Sequence, residues 1–213
     1  MTRLIVVRHG YSVTNAAKCY TGQKDVPLTD EGYRQAACVG EYLTATEHID
    51  AVYASDLSRA MDTARPTAEK AGVAIVSTPQ LREIAMGVWE GMSFEDVKNN
   101  YADVMAKRAA DHTYPCPGGE SFADLFARVF DAIDRILAEN EGKTVAVFTH
   151  GGAVRCIDCI AHGGTYREAA GYSNIDNAAI TIYQVENGQF TPLVHGYTAH
   201  LKENNTSAMK ELL

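Results

Sequence analysis

Two histidines follow apolar runs of the chain, and each histidine precedes a glycine. His9 comes after Leu4–Val7 and Arg8, and His150 comes shortly after the run Thr144–Phe148. Continuous apolar runs of this kind are typical of interior strands in a parallel sheet that is covered on both faces. Such sheets bind ligands beyond the carboxyl ends of their strands. We therefore predict that the two histidines share one site, in which His9 is a nucleophile and Arg8 holds an anion.

Two further charged residues follow other predicted strands. Arg59 comes after the short run Ala51–Ala54, and Glu83 comes after the run Ala74–Val76. If the sheet is parallel, these side chains converge on one edge of it together with the histidines. Such a set favours an anion, and phosphate is the natural candidate because guanidinium groups bind its oxygens in pairs. Taken singly, each residue has a structural alternative, such as a surface ion pair or a solvated carboxylate.

The bulk composition limits the class of protein. The chain has 213 residues, of which 46% are apolar and 22% are charged, and these values are typical of globular proteins. The formal net charge of −8 disfavours nucleic acid and acidic membranes as partners. Five cysteines and the lack of a recognisable leader predict a cytoplasmic location. No apolar run approaches the roughly 20 residues of a membrane span. Cys156 and Cys159 are predicted to be buried apolar side chains rather than metal ligands.

The elements that position these residues alternate between strands and helices for most of the chain. This alternation predicts an α/β fold with three layers, α/β/α, built on a mostly parallel sheet. Asn187-Gly188 between alternating runs predicts an antiparallel C-terminal hairpin, and Pro192 places its second strand at an edge. The polar tail after Tyr197 is predicted to be mobile or a short helix. We predict a single domain over residues 1–213.

Other local signals concern helices near the site. Ser55 and Asp56 are predicted to cap the helix that carries Arg59. Pro66 should kink that helix or make it restart, because proline lacks a backbone donor. The residues from about 92 to 119 contain a helical pattern that ends in a proline- and glycine-rich break, and they predict a small insertion placed like a lid over the site.

Several sequence blocks together resemble the histidine phosphatase superfamily, in the branch that contains phosphoglycerate mutases and small-molecule phosphatases. An Arg-His-Gly tripeptide alone is weak evidence, but the blocks occur in the family's order over roughly residues 3 to 185. The resemblance implies the phosphoglycerate mutase-like fold. The blocks are Arg8-His9-Gly10 with Asn15, residues 22–32, Ser55 to Ala60 with Thr63-Ala64, Leu81-Arg82-Glu83 continuing to Gly91, Pro117 to Ser121, and Thr149 to Gly152.

The resemblance implies a role for each matching residue. His9 would attack phosphorus and become phosphohistidine, while Glu83 would protonate the leaving oxygen and then activate water. His9 is expected to be neutral and His150 protonated. No metal or other cofactor is implied. The residues expected to bind the phosphoryl group are Arg8, Asn15, Arg59, His150 and Gly151, and those expected to bind the rest of the substrate are Tyr11, Thr21, Gly22 and Gln23.

The resemblance leaves three functions open. We predict a phosphomonoester hydrolase for a small metabolite, similar to the alpha-ribazole and broad-specificity phosphatases of the family. The family's mutases carry a longer, arginine-rich insertion, whereas residues 92–119 contain only Lys98, Lys107 and Arg108 as basic residues. A phosphoglycerate mutase is the alternative, and a non-catalytic phosphate-binding regulator is the third. The substrate and the oligomeric state, a homodimer included, stay open.

Overall fold

The computed structural model describes residues 1–202, which form one six-stranded sheet with helices on both faces. The strands are β1 (Thr2–Arg8), β2 (Ala51–Ser55), β3 (Ile75–Thr78), β4 (Thr144–Thr149), β5 (Ile180–Glu186) and β6 (Gln189–Tyr197). The helices are α1 (Val13–Ala16), α2 (Asp30–Thr46), α3 (Ser58–Ala71), α4 (Phe94–Asn100), α5 (Ala102–Ala110), α6 (Phe122–Glu139), α7 (Gly151–Ala161) and α8 (Tyr166–Ala169). Short 3₁₀ turns occupy Pro79–Leu81, Gly87–Trp89 and Ala199–Leu201.

The strand order is β3-β2-β4-β1-β5-β6. The first four strands in this order are parallel to one another, and β5 and β6 add an antiparallel hairpin. The predicted α/β fold with a C-terminal hairpin is confirmed, and Pro192 lies in the edge strand β6 as expected. The remainder of the predicted tail, beyond the 3₁₀ turn, lies outside the described residues.

Strand β1 is an interior strand, and both of its faces are covered by helices. Leu4 and Val6 pack into an apolar cluster with α6 and α7, whereas Ile5 and Val7 pack into a second cluster with α2 and α3. All four side chains are 0% exposed. Full burial of one such side chain stabilises the fold by about 1.5–3 kcal/mol, so the strand that ends at His9 is held rigidly.

The start of α3 departs from the sequence prediction. The carboxylate of Asp25, in a distant loop, accepts hydrogen bonds from the backbone N–H and the hydroxyl of Ser58, both at 2.8 Å. Asp56 instead pairs with the guanidinium of Arg82 at 2.6 Å. The prediction that Ser55 and Asp56 cap this helix is therefore wrong.

Helix α3 also continues through Pro66 without interruption, so the predicted restart is wrong. Proline in a helix interior loses a hydrogen bond and costs about 3 kcal/mol. Here the ring packs closely on α2, since a Cβ added at Gly40 would lie only 2.8 Å from the Cβ of Pro66. The close contact between the two helices offsets the lost bond.

The stretch between residues 92 and 119 contains the helices α4 and α5, which are separated at Tyr101. A small apolar cluster of its own holds it against Trp89, with Val97 and Cys116 fully buried. Further residues packed on this cluster are Tyr20, Met86, Met92, Tyr101, Val104 and Met105.

The cysteines and the helices of residues 1–202 bear on the predictions made from composition. Cys156 and Cys159 are both 0% exposed on α7, as predicted. Within residues 1–202, no group of three or more histidine, cysteine, aspartate or glutamate side chains could hold a metal ion. No helix in that range is both long and apolar enough to cross a membrane.

Candidate active site

His9 lies directly after β1, and one nitrogen of its ring is fixed by the backbone. Its Nδ1 lies 2.7 Å from the carbonyl oxygen of Gly10. Because a carbonyl only accepts, Nδ1 carries the hydrogen and Nε2 carries the lone pair. Nε2 has no hydrogen-bond partner among the described residues, and the side chain is 5% exposed. The ring therefore presents a nucleophilic nitrogen.

The backbone around His9 is held by polar side chains from three other segments. The amide of Asn177 donates to the carbonyl oxygens of His9 at 3.0 Å and Gly10 at 3.3 Å. The same amide donates to Oδ1 of Asn15 at 3.1 Å. The hydroxyl of Thr63 accepts the backbone N–H of Gly10 at 2.9 Å. Asn177 belongs to no motif, and no local sequence pattern indicates its role.

Donors without partners surround His9. The Nε of Arg8, the Nε of Arg59 and the Nδ1 of His150 are buried and make no hydrogen bond within the described residues. The rings of His9 and His150 lie 5.1 Å apart between centroids. A buried unsatisfied donor costs about 1–3 kcal/mol. Such a set of donors is suited to the oxygens of an anion.

The two arginines are oriented by backbone carbonyl groups. Arg59 is 0% exposed, and its terminal nitrogens donate to the carbonyl oxygens of Lys24 at 3.0 Å and Gly22 at 2.9 Å. Burial lowers the pKa of Arg59 to about 10, so the guanidinium stays charged near neutral pH. Arg8 donates to the carbonyl oxygen of Ile175 at 2.5 Å. The surface ion-pair alternative does not apply to Arg59.

Both histidines have lowered pKa values. Burial is the largest cause in each case, followed by the positive charge of Arg59. For His9, Arg8 lowers the pKa further, while the hydrogen bond to the carbonyl of Gly10 opposes the shift. The lowered pKa values favour the neutral ring in both cases, which agrees with the expectation for His9 and differs from that for His150. A bound dianion would raise the pKa of both rings, because it favours their charged forms.

The carboxylate of Glu83 packs against the N-terminus of α7, the helix that begins immediately after His150. Its carboxylate accepts the backbone N–H of Gly152 at 3.0 and 3.1 Å and that of Ile84 at 2.9 Å. A Cβ at Gly152 would lie 2.2 Å from Oε1 of Glu83, so only glycine permits this approach. The N-terminus of a helix carries partial positive charge, which favours a carboxylate there. Burial lowers the pKa values of the Arg8 and Arg59 guanidinium groups, and the charge of Glu83 partly opposes both shifts.

His150 also contacts Ser55, a residue of one matching block that the sequence analysis assigned to a helix cap. Its Nε2 lies 2.8 Å from the hydroxyl of Ser55, the last residue of β2. Gly151 begins α7 beside Arg8, since a Cβ there would lie 3.5 Å from the arginine Nε. Ser55 thus contacts the ring of His150, and its hydroxyl also accepts the backbone N–H of Leu57, just before α3, at 3.4 Å.

Three of the residues predicted to bind the rest of the substrate contact different parts of the protein. Gln23 reaches the Glu83 loop, where its amide donates to the carbonyl oxygen of residue 83 at 3.2 Å. Gly22 adopts a φ of 54°, and a Cβ there would lie 2.2 Å from Oε1 of Glu90. Thr21 instead bonds the hydroxyl of Thr14 at 2.6 Å.

Two other predicted residues form hydrogen bonds at the helices α1 and α2. Tyr11 donates its backbone N–H to Oε1 of Gln35 at 2.8 Å. Asn15 uses Oδ1 to accept the backbone N–H of Ser12 at 3.1 Å, which closes the cap of α1. The side-chain nitrogen Nδ2 of Asn15 makes no hydrogen bond within the described residues.

A cavity of about 420 Å³ lies between the 92–119 stretch and α6 and α8. Arg155 lies between the cavity and Glu83. Its guanidinium is 5.0 Å from the ring centre of Phe122, which lines the cavity. Burial lowers the pKa of Arg155, and the charge of Glu83 partly opposes that shift. None of the arginines at this cavity forms an ion pair within residues 1–202. The polar and aromatic lining residues are Arg108, His112, Tyr114, Phe122 and Arg167.

Comparison with known proteins agrees with this geometry. The family description "Histidine phosphatase superfamily (branch 1)" matches residues 4–198. The chain therefore belongs to the histidine phosphatase superfamily, and the resemblance of its sequence blocks is confirmed.

Individual relatives cover nearly the whole chain. Phosphoserine phosphatase 1 of Hydrogenobacter thermophilus is 29% identical over 213 residues and is matched over 100% of both chains. Phosphoglycerate mutase-like protein 4 of Arabidopsis thaliana is 31% identical, over 94% of this chain and 87% of the relative. The structure of Bacillus stearothermophilus YhfR superposes with a TM-score of 0.87 and 28% identity, over 95% of this chain and 100% of the other.

Proposed function

We propose that the protein is a phosphomonoester hydrolase that acts on a small phosphorylated metabolite through a phosphohistidine on His9. The observation that carries this proposal is the free Nε2 of His9 beside three buried donors without partners. The family membership and the relative named a phosphoserine phosphatase support it.

In the first step, the substrate phosphoryl group accepts hydrogen bonds from Arg8, Arg59 and His150. Nε2 of His9 attacks phosphorus, and the bond to the leaving oxygen breaks as Glu83 donates its proton to that oxygen. A loose transition state spreads negative charge over the phosphoryl oxygens, and fixed cations stabilise it. The covalent intermediate divides a very high barrier into two lower ones.

In the second step, Glu83 is a carboxylate and accepts a proton from water. The water oxygen attacks phosphorus, and the bond between phosphorus and Nε2 of His9 breaks. Inorganic phosphate leaves, His9 is again neutral, and Glu83 again holds a proton. The lowered pKa of His9 keeps the free ring in its nucleophilic form for the next cycle.

The leaving group, in this proposal, extends past Glu83 into the cavity beside the 92–119 stretch. Arg108 and Arg167 line that cavity, so they favour a leaving group that carries negative charge, such as a carboxylate. One relative is named a phosphoserine phosphatase, and phosphoserine has a leaving group that carries a carboxylate.

The test measures inorganic phosphate released from a panel of phosphomonoesters in the presence of a metal chelator. Phosphoserine, 3-phosphoglycerate, a neutral sugar phosphate and p-nitrophenyl phosphate should be included. We expect release from at least one metabolite, loss of release in His9→Ala, and normal release in the control variant His48→Ala, whose side chain is 93% exposed. Isomerisation of 3-phosphoglycerate without release would establish the mutase instead. Phosphate binding without turnover of any compound would favour the regulator.

A further inference from the structure

Arg128, in the second turn of α6, is buried against the loop that carries Glu83. Its Nη1 donates to the carbonyl oxygens of Gln80 at 3.0 Å and Arg82 at 2.7 Å. Its Nη2 donates to the carbonyl oxygen of Glu83 at 2.8 Å. One guanidinium group therefore binds three carbonyl groups of the segment that leads into Glu83.

The same guanidinium forms a two-point pair with Glu120. Nε and Nη2 each lie 2.8 Å from an oxygen of that carboxylate. Oε2 of Glu120 also accepts the backbone N–H of Ala85 at 2.9 Å. The Glu83 loop is thus bound before residue 83 through carbonyl groups and after it through an amide.

Arg128 has no donor left for a ligand. A guanidinium carries five N–H groups, and the five contacts to Glu120 and to residues 80, 82 and 83 use all of them. Its side chain is 18% exposed, and that of Glu120 is 23% exposed. Arg128 is therefore fitted to hold protein rather than substrate.

We propose that Arg128, through its pair with Glu120, is a positioning residue that holds Glu83 where its proton can reach the leaving oxygen. This inference rests on the function proposed above for Glu83. The carboxylate of Glu83 is aligned by the N–H of Gly152, and that bond requires the loop backbone to stay within hydrogen-bond distance of α7. Lysine cannot replace the planar fork of arginine, because it presents three donors from a single point.

The test uses Arg128→Lys with a series of phosphomonoesters that differ in leaving-group pKa. Proton donation matters most when the leaving oxygen is strongly basic. A misplacement of about 1 Å can cost about 10²-fold, so we expect kcat/KM for an alkyl phosphate, which does not include the later attack of water, to fall by about that factor. We expect a loss of less than about tenfold for p-nitrophenyl phosphate, whose leaving group needs little proton assistance.

Matched variants separate positioning from a general loss of structure. Arg135→Lys is the control, because Arg135 lies on the same helix and, within residues 1–202, its side chain binds only the side chain of Gln80, at 2.9 Å. It should leave all rates unchanged. Glu120→Gln should show the same dependence on leaving group as Arg128→Lys, and it provides a second route if Arg128→Lys folds poorly.

A double variant decides whether Arg128 acts through Glu83. If it does, Glu83→Gln with Arg128→Lys should be no slower than Glu83→Gln alone. Equal losses for all leaving groups, or losses that multiply in the double variant, would overturn the positioning role. A wild-type rate in Glu83→Gln would instead overturn the proposed function of Glu83 itself, so the two failures are distinguishable.

Discussion

His9 and His150 are two buried rings held beside two guanidinium groups. This arrangement costs free energy in the protein alone, because three donors lack partners. It also keeps His9 neutral by lowering its pKa through burial and through Arg59 and Arg8. The same features that make the site costly without an anion make it suited to one.

The lowered histidine pKa values predict how stability depends on pH. In the unfolded chain both rings titrate near 6.5, and in the folded protein they titrate well below that value. Below about pH 6.5 the unfolded chain binds more protons, so the stability is fully present above that pH and is lost as the pH falls. Each ring contributes a slope of up to about 1.4 kcal/mol per pH unit.

Urea unfolding between pH 8 and pH 5 measures this effect. We expect His9→Gln and His150→Gln each to lose less stability than wild type over this range. His48 is an exposed histidine, so His48→Gln is the control and should follow the wild-type curve. Identical pH dependence in wild type and in both buried-histidine variants would contradict the assigned pKa shifts.

The motif residues of the site could be found from the sequence, but their supporting contacts could not. Asn177, Ser55 and Arg128 bind His9, His150 and the Glu83 loop across long sequence distances. No motif includes Asn177 or Arg128, and the block that contains Ser55 does not indicate its contact with His150, because each contact depends on how strands and helices pack. The lowered pKa of His150 could not be predicted from the sequence for the same reason, since its full burial is a tertiary property.

The loop of residues 22–25 and the start of α3 hold each other in place. The loop offers carbonyl oxygens of residues 22 and 24 to Arg59, and Asp25 in turn caps the helix at Ser58. This exchange explains how an arginine on a helix without a local cap is kept in one position.

We expect Asp25→Ala to weaken both the fold and the anion site. Loss of a side-chain cap costs about 1 kcal/mol, measurable as a lower urea midpoint. Arg59 should also lose its fixed position, so inhibition by inorganic phosphate should weaken. Asp131→Ala, at an exposed position on α6, is the control and should change neither quantity. An unchanged inhibition constant in a destabilised Asp25→Ala would show that the cap does not position Arg59.

At the level of elements, α2, α4 and α6 begin at local cap residues, whereas α3 does not. Thr29, Ser93 and Ser121 cap α2, α4 and α6 as their sequence positions indicate. The cap of α3 comes from Asp25, 33 residues before Ser58, and the helix tolerates Pro66 because of its contact with Gly40. Local propensity cannot reveal compensations supplied by a neighbouring element.

In the whole molecule, the sheet topology collects the candidate residues. The adjacent parallel strands β3, β2, β4 and β1 all end at the same edge, and the backbone N–H of His9 binds the carbonyl of Thr149 at 2.9 Å. A chain of net charge −8 thereby gathers arginines and histidines at one point. The alternation of strands and helices predicted the parallel sheet, but not the strand order, which depends on long-range pairing.

The most direct test of the account is to trap the enzyme during turnover and find where the phosphoryl group is bound. Wild type mixed with substrate should carry an acid-labile phosphoryl group on the peptide that contains His9, and Glu83→Gln should accumulate more of it if water attack becomes limiting. His9→Ala should carry none. Turnover by wild type with no phosphoenzyme, or with the phosphoryl group on another residue, would contradict the proposed role of His9.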